Sequence, residues 1–235
     1  MDSDTHTTEP VTSALRLRSG GIEPAGQALG LRAGDMLDTI NGRPFRGDEA
    51  ALRARFAERV EKPLALGFRR GTETFLVLAT TARLGRWEAV PCPLPDAAEG
   101  GRIDPEGLQN YQVMRSEMGV YDLYPAMPSL LALVAPPLWL LQMRLWAQAA
   151  TVVAALAAAA VVMPVLAAVV WVAAGLWVRR TGAAFLRADR AGRGLRFAGV
   201  FAARGEAEAH AAHLARHPGD RYLFAAVAPA EEQAA

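Results

Sequence analysis

Residues 129–178 read SLLALVAPPLWLLQMRLWAQAATVVAALAAAAVVMPVLAAVVWVAAGLWV, and this stretch decides the fold class of the second half of the chain. It contains one formal charge, Arg144. A helix that crosses a bilayer needs about 20 apolar residues, so the stretch is long enough for two such helices. We predict a transmembrane α-helical hairpin, with one helix over residues 129–147 and a second over residues 151–178.

Prolines leave alternatives open at two places in this hairpin. Pro164 lies in the middle of the second helix, where its ring and missing N–H favour a kink. A three-segment interpretation divides that helix at Met163-Pro164, but each half is then short for a span. Pro136-Pro137 lies inside the first helix, so a broken or interfacial helix is a second interpretation of that segment.

Tryptophans lie near the predicted helix ends, where the indole ring favours the headgroup level of a bilayer. We therefore interpret Trp139, Trp146, Trp171 and Trp177 as lipid anchors. Arg144 has two interpretations, because it lies near the end of the first helix. Its side chain extends to the headgroups, or it pairs with a partner inside the membrane.

Arginines follow the second apolar segment closely. Because basic residues favour the cytoplasmic side of a membrane, we predict that this end is cytoplasmic. With two helices the N-terminal region lies on the same side, and the polar first ten residues do not resemble a signal peptide. The predicted location is the bacterial inner membrane, multi-pass, with both termini cytoplasmic. The arginines are Arg179, Arg180, Arg187, Arg190, Arg193 and Arg196.

The composition argues against several classes of function. The formal net charge of the 235 residues is +1, so no global basic field indicates nucleic-acid binding. A single cysteine, Cys92, excludes an internal disulfide and a cysteine-built zinc site. The sequence contains no glycine-rich phosphate loop with lysine, no HExxH and no GxSxG. We therefore expect no enzymatic activity and no cofactor.

Shifts in composition divide the chain into five predicted parts. Residues 1–10 form a polar tail that we expect to be disordered, and residues 11–82 form a compact α+β domain. Residues 83–127 are a connector rich in proline and glycine, a composition that disfavours long regular elements. Residues 128–180 contain the transmembrane hairpin, and residues 181–235 form a small α+β cytoplasmic tail.

Periodicity and turn signals predict the elements of residues 11–82. Apolar residues recur four apart on one face of a helix over residues 48–60, and Asp48 suits its first turn. Asn41-Gly42 favours a turn with positive φ angles. Strands are predicted over residues 11–18, 35–40, 64–68 and 74–79.

Residues 29–44, LGLRAGDMLDTINGRP, resemble the core signature of bacterial PDZ domains. That signature has an Ala-Gly-Leu element, a spacer, Gly-Asp, an apolar pair, a short strand and then Asn-Gly. The resemblance covers roughly residues 11–82, since the following helix and two strands also lie where such a domain has them. The signature positions in this chain are Gly30, Gly34, Asp35, Asn41 and Gly42.

The resemblance implies a peptide-binding groove. PDZ domains add an extended peptide to a sheet edge beside a helix, which here implies the strand of residues 14–18 and the helix of residues 48–60. The stretch before the signature lacks the glycine-flanked apolar loop that holds a terminal carboxylate. Binding of an internal segment and a purely structural role are therefore both open. The implied groove residues are Ala14, Leu15, Arg16, Leu17, Leu52 and Phe56.

A second resemblance covers residues 111–224. The segments YQVM at 111–114, PPLW at 136–139, MRLW at 143–146 and GLRFAGV at 194–200 are similar to an uncharacterised family of short bacterial membrane domains. That family has no established activity. The likeness therefore implies a membrane architecture and no chemistry.

Three histidines follow one another along a predicted helix over residues 206–216. His210, His213 and His217 lie at positions i, i+3 and i+7, which places them along one face. Two such imidazoles can hold a transition metal, with Glu206 one turn earlier. The alternative is a polar flank beside an apolar stripe, and we favour it, so no metal site is predicted.

These observations lead to three hypotheses of function. The leading one is a non-enzymatic, membrane-anchored interaction protein whose PDZ-like domain recruits a protein or peptide by strand addition. The second is an accessory subunit of a larger membrane protein complex, in which the helices make the main contacts. The third is a regulatory component of a membrane protease system. The expected partners are a protein or peptide and the lipid bilayer, with no nucleic acid.

Overall fold

A computed structural model describes residues 13–58, 62–91 and 101–225. Within these residues the fold is α+β, with two β-sheets and seven α-helices. The chain forms two compact units, one of Met1–Asn110 with Gly199–Gly205 and one of Tyr111–Ala198 with Glu206–Ala235. The predicted disordered tail, residues 1–10, lies outside the described residues, as does Cys92.

The first sheet is entirely antiparallel and has the strand order β5-β4-β2-β1-β6, with the short β3 paired to β2. Two helices, α1 and α2, accompany it. The strands are β1 Ser13–Ile22, β2 Met36–Ile40, β3 Arg43–Pro44, β4 Leu64–Arg70, β5 Glu73–Ala79 and β6 Gly85–Pro91. The helices are α1 Pro24–Ala28 and α2 Glu49–Ala57.

Local signals explain several of these elements. Asn41 and Gly42 have φ angles of 51° and 77°, and they turn the chain between β2 and β3 as their sequence predicts. The Asp48 side chain accepts a hydrogen bond of 2.8 Å from the Ala51 N–H and so caps α2. The helix ends earlier than predicted, at Ala57, and residues 59–61 lie outside the described residues.

A buried carboxylate fixes the entry to β2. The Asp35 side chain is fully buried and accepts two hydrogen bonds of 2.7 Å from the Arg70 guanidinium. It accepts a third, of 2.8 Å, from the Arg32 N–H. Because the three donors meet the carboxylate from two distant parts of the chain, Asp35 ties the turn before β2 to the end of β4.

The predicted connector, residues 83–127, contains three strands that its proline- and glycine-rich composition did not suggest. β6 lies within it and pairs with β1, and two further strands, β7 Gln109–Arg115 and β8 Val120–Pro125, pair with each other. Between them lies a short 3₁₀ turn, Pro105–Gly107. Proline and glycine punctuate this stretch, but the residues between them, such as Tyr111 and Tyr121, are strand formers that pairing and burial stabilise.

The second sheet has the order β10-β8-β7-β9, with β10 parallel to β8. Five helices belong to the same part of the chain. The remaining strands are β9 Arg196–Ala203 and β10 Arg221–Tyr222. The helices are α3 Leu131–Val134, α4 Pro136–Gln142, α5 Trp146–Val162, α6 Pro164–Gly192 and α7 Glu206–Arg216.

The two long predicted helices are each divided. The first, residues 129–147, becomes α3 and α4, because Pro136-Pro137 cannot continue α3 and instead begins α4. The second ends at Val162, and Met163 is extended, with φ −167° and ψ 136°. Proline disfavours a helical residue before it, so Pro164 begins a new helix rather than kinking the old one.

Helix α6 continues to Gly192, past the predicted end at residue 178 and across the predicted domain boundary at residue 180. By length and composition it is the one described helix that is long and apolar enough to cross a membrane. Helix α5, with 17 residues, is shorter, and it packs against α6.

The tryptophans of the predicted hairpin differ in their surroundings. Trp139 is buried in a cluster with Val178 and Leu186, so it is not the lipid anchor that we predicted. Gly182 makes room for its ring, because a Cβ there would collide with the indole. Trp146, Trp171 and Trp177 are exposed.

Candidate functional site

The predicted peptide groove on β1 is closed. β1 pairs with β2 on one side and with β6 on the other, so neither of its backbone edges is free for an added strand. Ala14, Leu15 and Leu17 are buried core residues, and the Arg16 side chain forms an ion pair of 2.6 Å with Glu88. The prediction that residues 14–18 take a peptide is therefore wrong.

The helix residues that were predicted to line the groove are not both accessible. Leu52 is fully buried in the core of the first unit, while Phe56 on the next turn is half-buried. Leu52 therefore contributes to the hydrophobic core and is not open to a ligand.

The open edge of the first sheet is β6, which among the described residues pairs with β1 alone. Leu17 directs its N–H to Asp35 and its carbonyl to Gly34, toward β2. In an antiparallel sheet the backbone N–H and carbonyl groups of successive residues point to opposite neighbouring strands. Those of Arg16 therefore point to β6, where Arg16 and Glu88 form a hydrogen-bonded pair.

The same alternation identifies the outward groups of β6. If Glu88 faces β1, then Trp87 and Ala89 direct their N–H and carbonyl groups to the free edge. Pro91, which has no N–H, follows at the same parity, in the position where an edge strand tolerates proline. The open segment is therefore short and centred on Trp87 and Ala89.

The opposite edge of this sheet, β5, is partly covered. The Asn110 side chain donates to the Leu78 carbonyl and accepts from the Leu78 N–H, both at 2.8 Å. This pair of bonds imitates a neighbouring strand at one position. Because Asn110 covers part of β5, β6 is the more accessible of the two sheet edges for a partner.

Trp87 has an unusual environment at the open edge. Its side chain is buried and stacks on Phe68, with ring centroids 6.3 Å apart. Its indole N–H has no hydrogen-bond partner among the described residues. A buried donor without an acceptor is uncommon. The Trp87 indole N–H therefore makes this part of β6 a candidate for contact with a ligand or partner.

The PDZ-like signature residues build turns and do not line the open edge. Gly30, Gly34 and Gly42 all have positive φ angles, which glycine adopts without strain. The Gly30 carbonyl accepts a 2.9 Å bond from Arg70, and the Asn41 side chain accepts a 2.9 Å bond from the Ala65 N–H. These five positions therefore hold the first unit together.

In the second unit the three predicted histidines lie on or just after α7, but they do not converge on one point. Among the described residues no group of three or more His, Cys, Asp or Glu side chains could hold a metal ion. His210 Nδ1 lies 2.9 Å from the Tyr121 hydroxyl, and His213 Nε2 lies 3.0 Å from Asp220. His217 lies beside His213, with ring centroids 5.1 Å apart.

Asp220 is the centre of a buried ionic cluster. Its carboxylate accepts two bonds from Arg115, of 2.6 and 2.8 Å, as well as the contact from His213. The Arg115 hydrogen bonds lower the pKa of Asp220 to about 2. Burial lowers the pKa of His213 in spite of the neighbouring Asp220, which favours a neutral imidazole that donates to the carboxylate. The buried Asp220 carboxylate therefore joins Arg115 on β7 to His213 on α7, and it fixes the loop before β10 between them.

A second buried ion pair joins α6 to β8. Arg190 and Asp122, both almost fully buried, are hydrogen-bonded to each other, and Arg190 also donates to the Met143 carbonyl at 3.2 Å and to Asp189. Burial raises the pKa of Asp122 although Arg190 opposes the shift. Arg190 was predicted only as one of a row of cytoplasmic arginines.

Sequence reasoning missed these ionic clusters because their members are far apart. Asp122 and Arg190 are 68 positions apart, and Arg115 and Asp220 are 105 positions apart. No local pattern connects such residues. One signal was available, since Arg190 and His213 each lie on a helix with apolar residues at helical spacing around them.

No protein-family model matches the chain, and no curated protein matches it either. The candidate functional features are therefore those that the fold itself presents, namely the open edge of β6 and the apolar helices of the second unit.

Proposed function

We propose that this is a membrane-anchored interaction protein that holds a partner by strand addition to β6. The observation that carries the proposal is the exposure of apolar side chains on α5 and α6. The apolar window of α6 is only 17% buried, whereas the core helix of a soluble protein is mostly buried. Such a surface is stable in a hydrocarbon environment.

The exposed apolar side chains concentrate at the junction of α5 and α6. Val161 is 89% exposed and Val165 is 68% exposed, and Val162, Met163 and Leu166 are also exposed. No charged residue occurs between Leu145 and Val178, and Arg179 and Arg180 follow directly. This pattern supports insertion of α5 and α6 as a hairpin whose ends both lie on the basic, cytoplasmic side.

The recruiting part of the proposal is supported by the open edge of β6. Backbone N–H and carbonyl groups at a free edge are satisfied by an extended chain that pairs with them. Trp87 and Ala89 present these groups, and Pro91 limits the pairing to a short segment. The partner is therefore an extended peptide segment of another protein, as the PDZ-like interpretation also implies.

The test is affinity purification of the full-length protein in mild detergent, followed by mass spectrometry. Ala89→Pro removes an outward N–H and leaves the pairing with β1, so it should keep the melting temperature and lose soluble partners. Glu88→Pro is the matched control, because its N–H faces β1 and its loss should destabilise the first unit. Identical partners with the wild type and Ala89→Pro would contradict recruitment by β6.

The accessory-subunit hypothesis has its own support. Exposed apolar side chains continue onto the short helices α3 and α4, at Leu131, Val134 and Leu138. Helices of four and seven residues cannot span a bilayer, so a neighbouring membrane protein is a suitable cover for this surface. One membrane assembly recovered in a fixed ratio, and unaffected by Ala89→Pro, favours this function.

A further inference from the structure

A small cavity of about 110 Å³ lies in the second unit, where the connection between α4 and α5 meets α6, β8 and β10. The volume of about three to four waters is enough for one tetrahedral phosphate group. The cavity is partly open to solvent. Its lining residues are Asp122, Leu123, Tyr124, Pro125, Gln142, Met143, Arg144, Arg190, Glu206, Tyr222 and Phe224.

Arg144 occupies a backbone position that favours glycine. Its φ angle is +60°, its N–H donates to the Leu141 carbonyl, and the next N–H, of Leu145, donates to the Leu140 carbonyl. This pair of bonds is the Schellman ending of α4, in which the left-handed residue is usually glycine. The chain therefore has a guanidinium where the backbone alone would favour the absence of a side chain.

The Arg144 side chain is free to bind an anion. Its guanidinium stacks on the Phe224 ring at 4.1 Å, which fixes its plane and leaves its N–H groups at the edge available. Within the described residues no carboxylate or carbonyl accepts a hydrogen bond from it. Arg144 was predicted either to extend to the headgroups or to pair within the membrane, and the structure places it at the end of α4, beside this cavity.

Of the two acidic groups around the cavity, Asp122 is neutralised by a partner and Glu206 is largely exposed to solvent. Asp122 is bonded to Arg190, and Glu206 lies 3.6 Å from His210. The Tyr222 hydroxyl, by contrast, makes no hydrogen bond within the part of the chain that the structure describes. Burial raises the pKa of Tyr222 to about 12, so the hydroxyl stays protonated and able to donate. The donors that remain, on Arg144, Tyr222 and Gln142, call for a ligand with acceptor oxygens.

We propose that this cavity binds a phosphate group, with Arg144 as its charged contact and Tyr222 as a second donor. Two sources have this chemistry, the headgroup of an anionic phospholipid and a free phosphate. Leu138, Leu141 and Trp146, around the same connection, are exposed, as expected where a protein meets lipid. The choice of the lipid source rests on the proposed membrane anchoring, whereas the phosphate site itself does not.

The test uses the full-length protein in a neutral detergent and measures binding by isothermal titration calorimetry. The probes are short-chain phosphatidylglycerol, short-chain phosphatidylcholine and inorganic phosphate. Arg144→Gly should weaken binding of phosphatidylglycerol, or of inorganic phosphate if that is the ligand, at least tenfold. The melting temperature should stay the same or rise, because the backbone strain is relieved. Arg196→Gly is the control, because it removes the same charge from an exposed arginine that pairs with Glu117 and does not line the cavity.

The outcomes separate the sources. Arg144-dependent binding of phosphatidylglycerol, without binding of inorganic phosphate, supports a lipid headgroup site, and competition by inorganic phosphate supports a soluble ligand. If phosphatidylglycerol and inorganic phosphate bind a folded Arg144→Gly variant as tightly as the wild type, or if the wild type binds neither, the proposal is overturned. Flotation with phosphatidylcholine liposomes tests the membrane anchoring separately, since it does not depend on this site.

Discussion

The two units of this protein differ in where their large apolar side chains lie. In the first unit the large apolar side chains that the structure describes are buried or half-buried around one sheet. All the described large apolar side chains that are exposed belong to the second unit, which also contains the buried Asp122, Arg190 and His213. Apolar surface is therefore buried in the first unit and largely exposed on the helices of the second, as the proposed membrane anchoring requires.

The difference teaches where stability comes from in each unit. A sheet packed with Leu, Phe and Val side chains gains stability from removing apolar area from water. A unit whose apolar helices stay exposed gains less from this source, so its buried ion pairs have a larger part in fixing one structure. Breaking such a pair should therefore have the largest effect of any single substitution.

The substitution Arg190→Met should have that effect. It leaves the buried Asp122 carboxylate without its cation, which costs about 3–5 kcal/mol. Hydrogen exchange of the full-length protein in detergent should show faster opening in the second unit and unchanged protection in β1, β2 and β4 of the first. Arg193→Met, which removes an exposed pair with Asp189, should change exchange little.

The loss of stability in Arg190→Met should depend on pH, because it arises from the charge of Asp122. Burial already raises the pKa of Asp122, and loss of Arg190 removes the opposing influence, so the pKa should rise further. Protonation then removes the uncompensated charge, and the defect of Arg190→Met should become smaller as the pH falls toward the raised pKa. Equal protection of the variant and the wild type at neutral pH would contradict the importance of the pair.

A charge at the junction of α5 and α6 should have the next largest effect, on membrane binding and not on folding. Helix α5 is about 25 Å long, less than the roughly 30 Å of a hydrocarbon core, and the exposed Met163 follows it. Met163→Asp should therefore weaken binding to vesicles, by up to about 2.5–3.5 kcal/mol, which is the cost of Asp at the centre of a spanning helix. Met118→Asp, an exposed substitution outside the helices, is the control, and an equally small effect of both would place Met163 outside the hydrocarbon.

Short-range signals predicted those features whose cause is local. The turn at Asn41-Gly42, the cap at Asp48 and the helix that contains His210 and His213 each depend on a few neighbouring residues, and each is present. The start of α6 is at Pro164, where the prediction favoured a kink but also considered a division at Met163-Pro164. The backbone preference before proline was the better guide.

Features that depend on distant pairing were not predictable in the same way. Strand β6 was assigned to a proline- and glycine-rich connector because its partner, β1, lies some 70 positions earlier in the sequence. Once β6 occupies one side of β1, the predicted groove at residues 14–18 cannot exist. The ion pairs of Arg115 with Asp220 and of Arg190 with Asp122 likewise arise only when the sheet and helices are in place.

In the first unit the comparable ionic site is Asp35, and its loss should cost less than the loss of Arg190. Asp35→Ala removes three hydrogen bonds, but the Arg70 side chain is partly exposed and can turn to water. We expect a destabilisation of about 1.5–3 kcal/mol, confined to the first unit. Asp35→Asn should retain part of this stability, because an amide oxygen still accepts from the Arg32 N–H. Hydrogen exchange in β2 and β4 checks the prediction, and a larger loss in the second unit would contradict it.

The smallest expected effect concerns His213. Its pKa is lowered in the folded protein, so the neutral imidazole contributes stability that is present above about pH 6.5 and lost as the pH falls below that value. Asp220, with a pKa of about 2, loses its contribution only below about pH 4, so the two windows do not overlap. Protection of α7 and β8, corrected for intrinsic exchange rates, should fall between pH 7 and 5.5 in the wild type and stay level in His213→Gln. A rise of protection on acidification would mean that the Asp220 carboxylate, and not burial, has the larger effect on the pKa of His213. Acid would then stabilise the second unit, whereas the protection of the sheet in the first unit should not change.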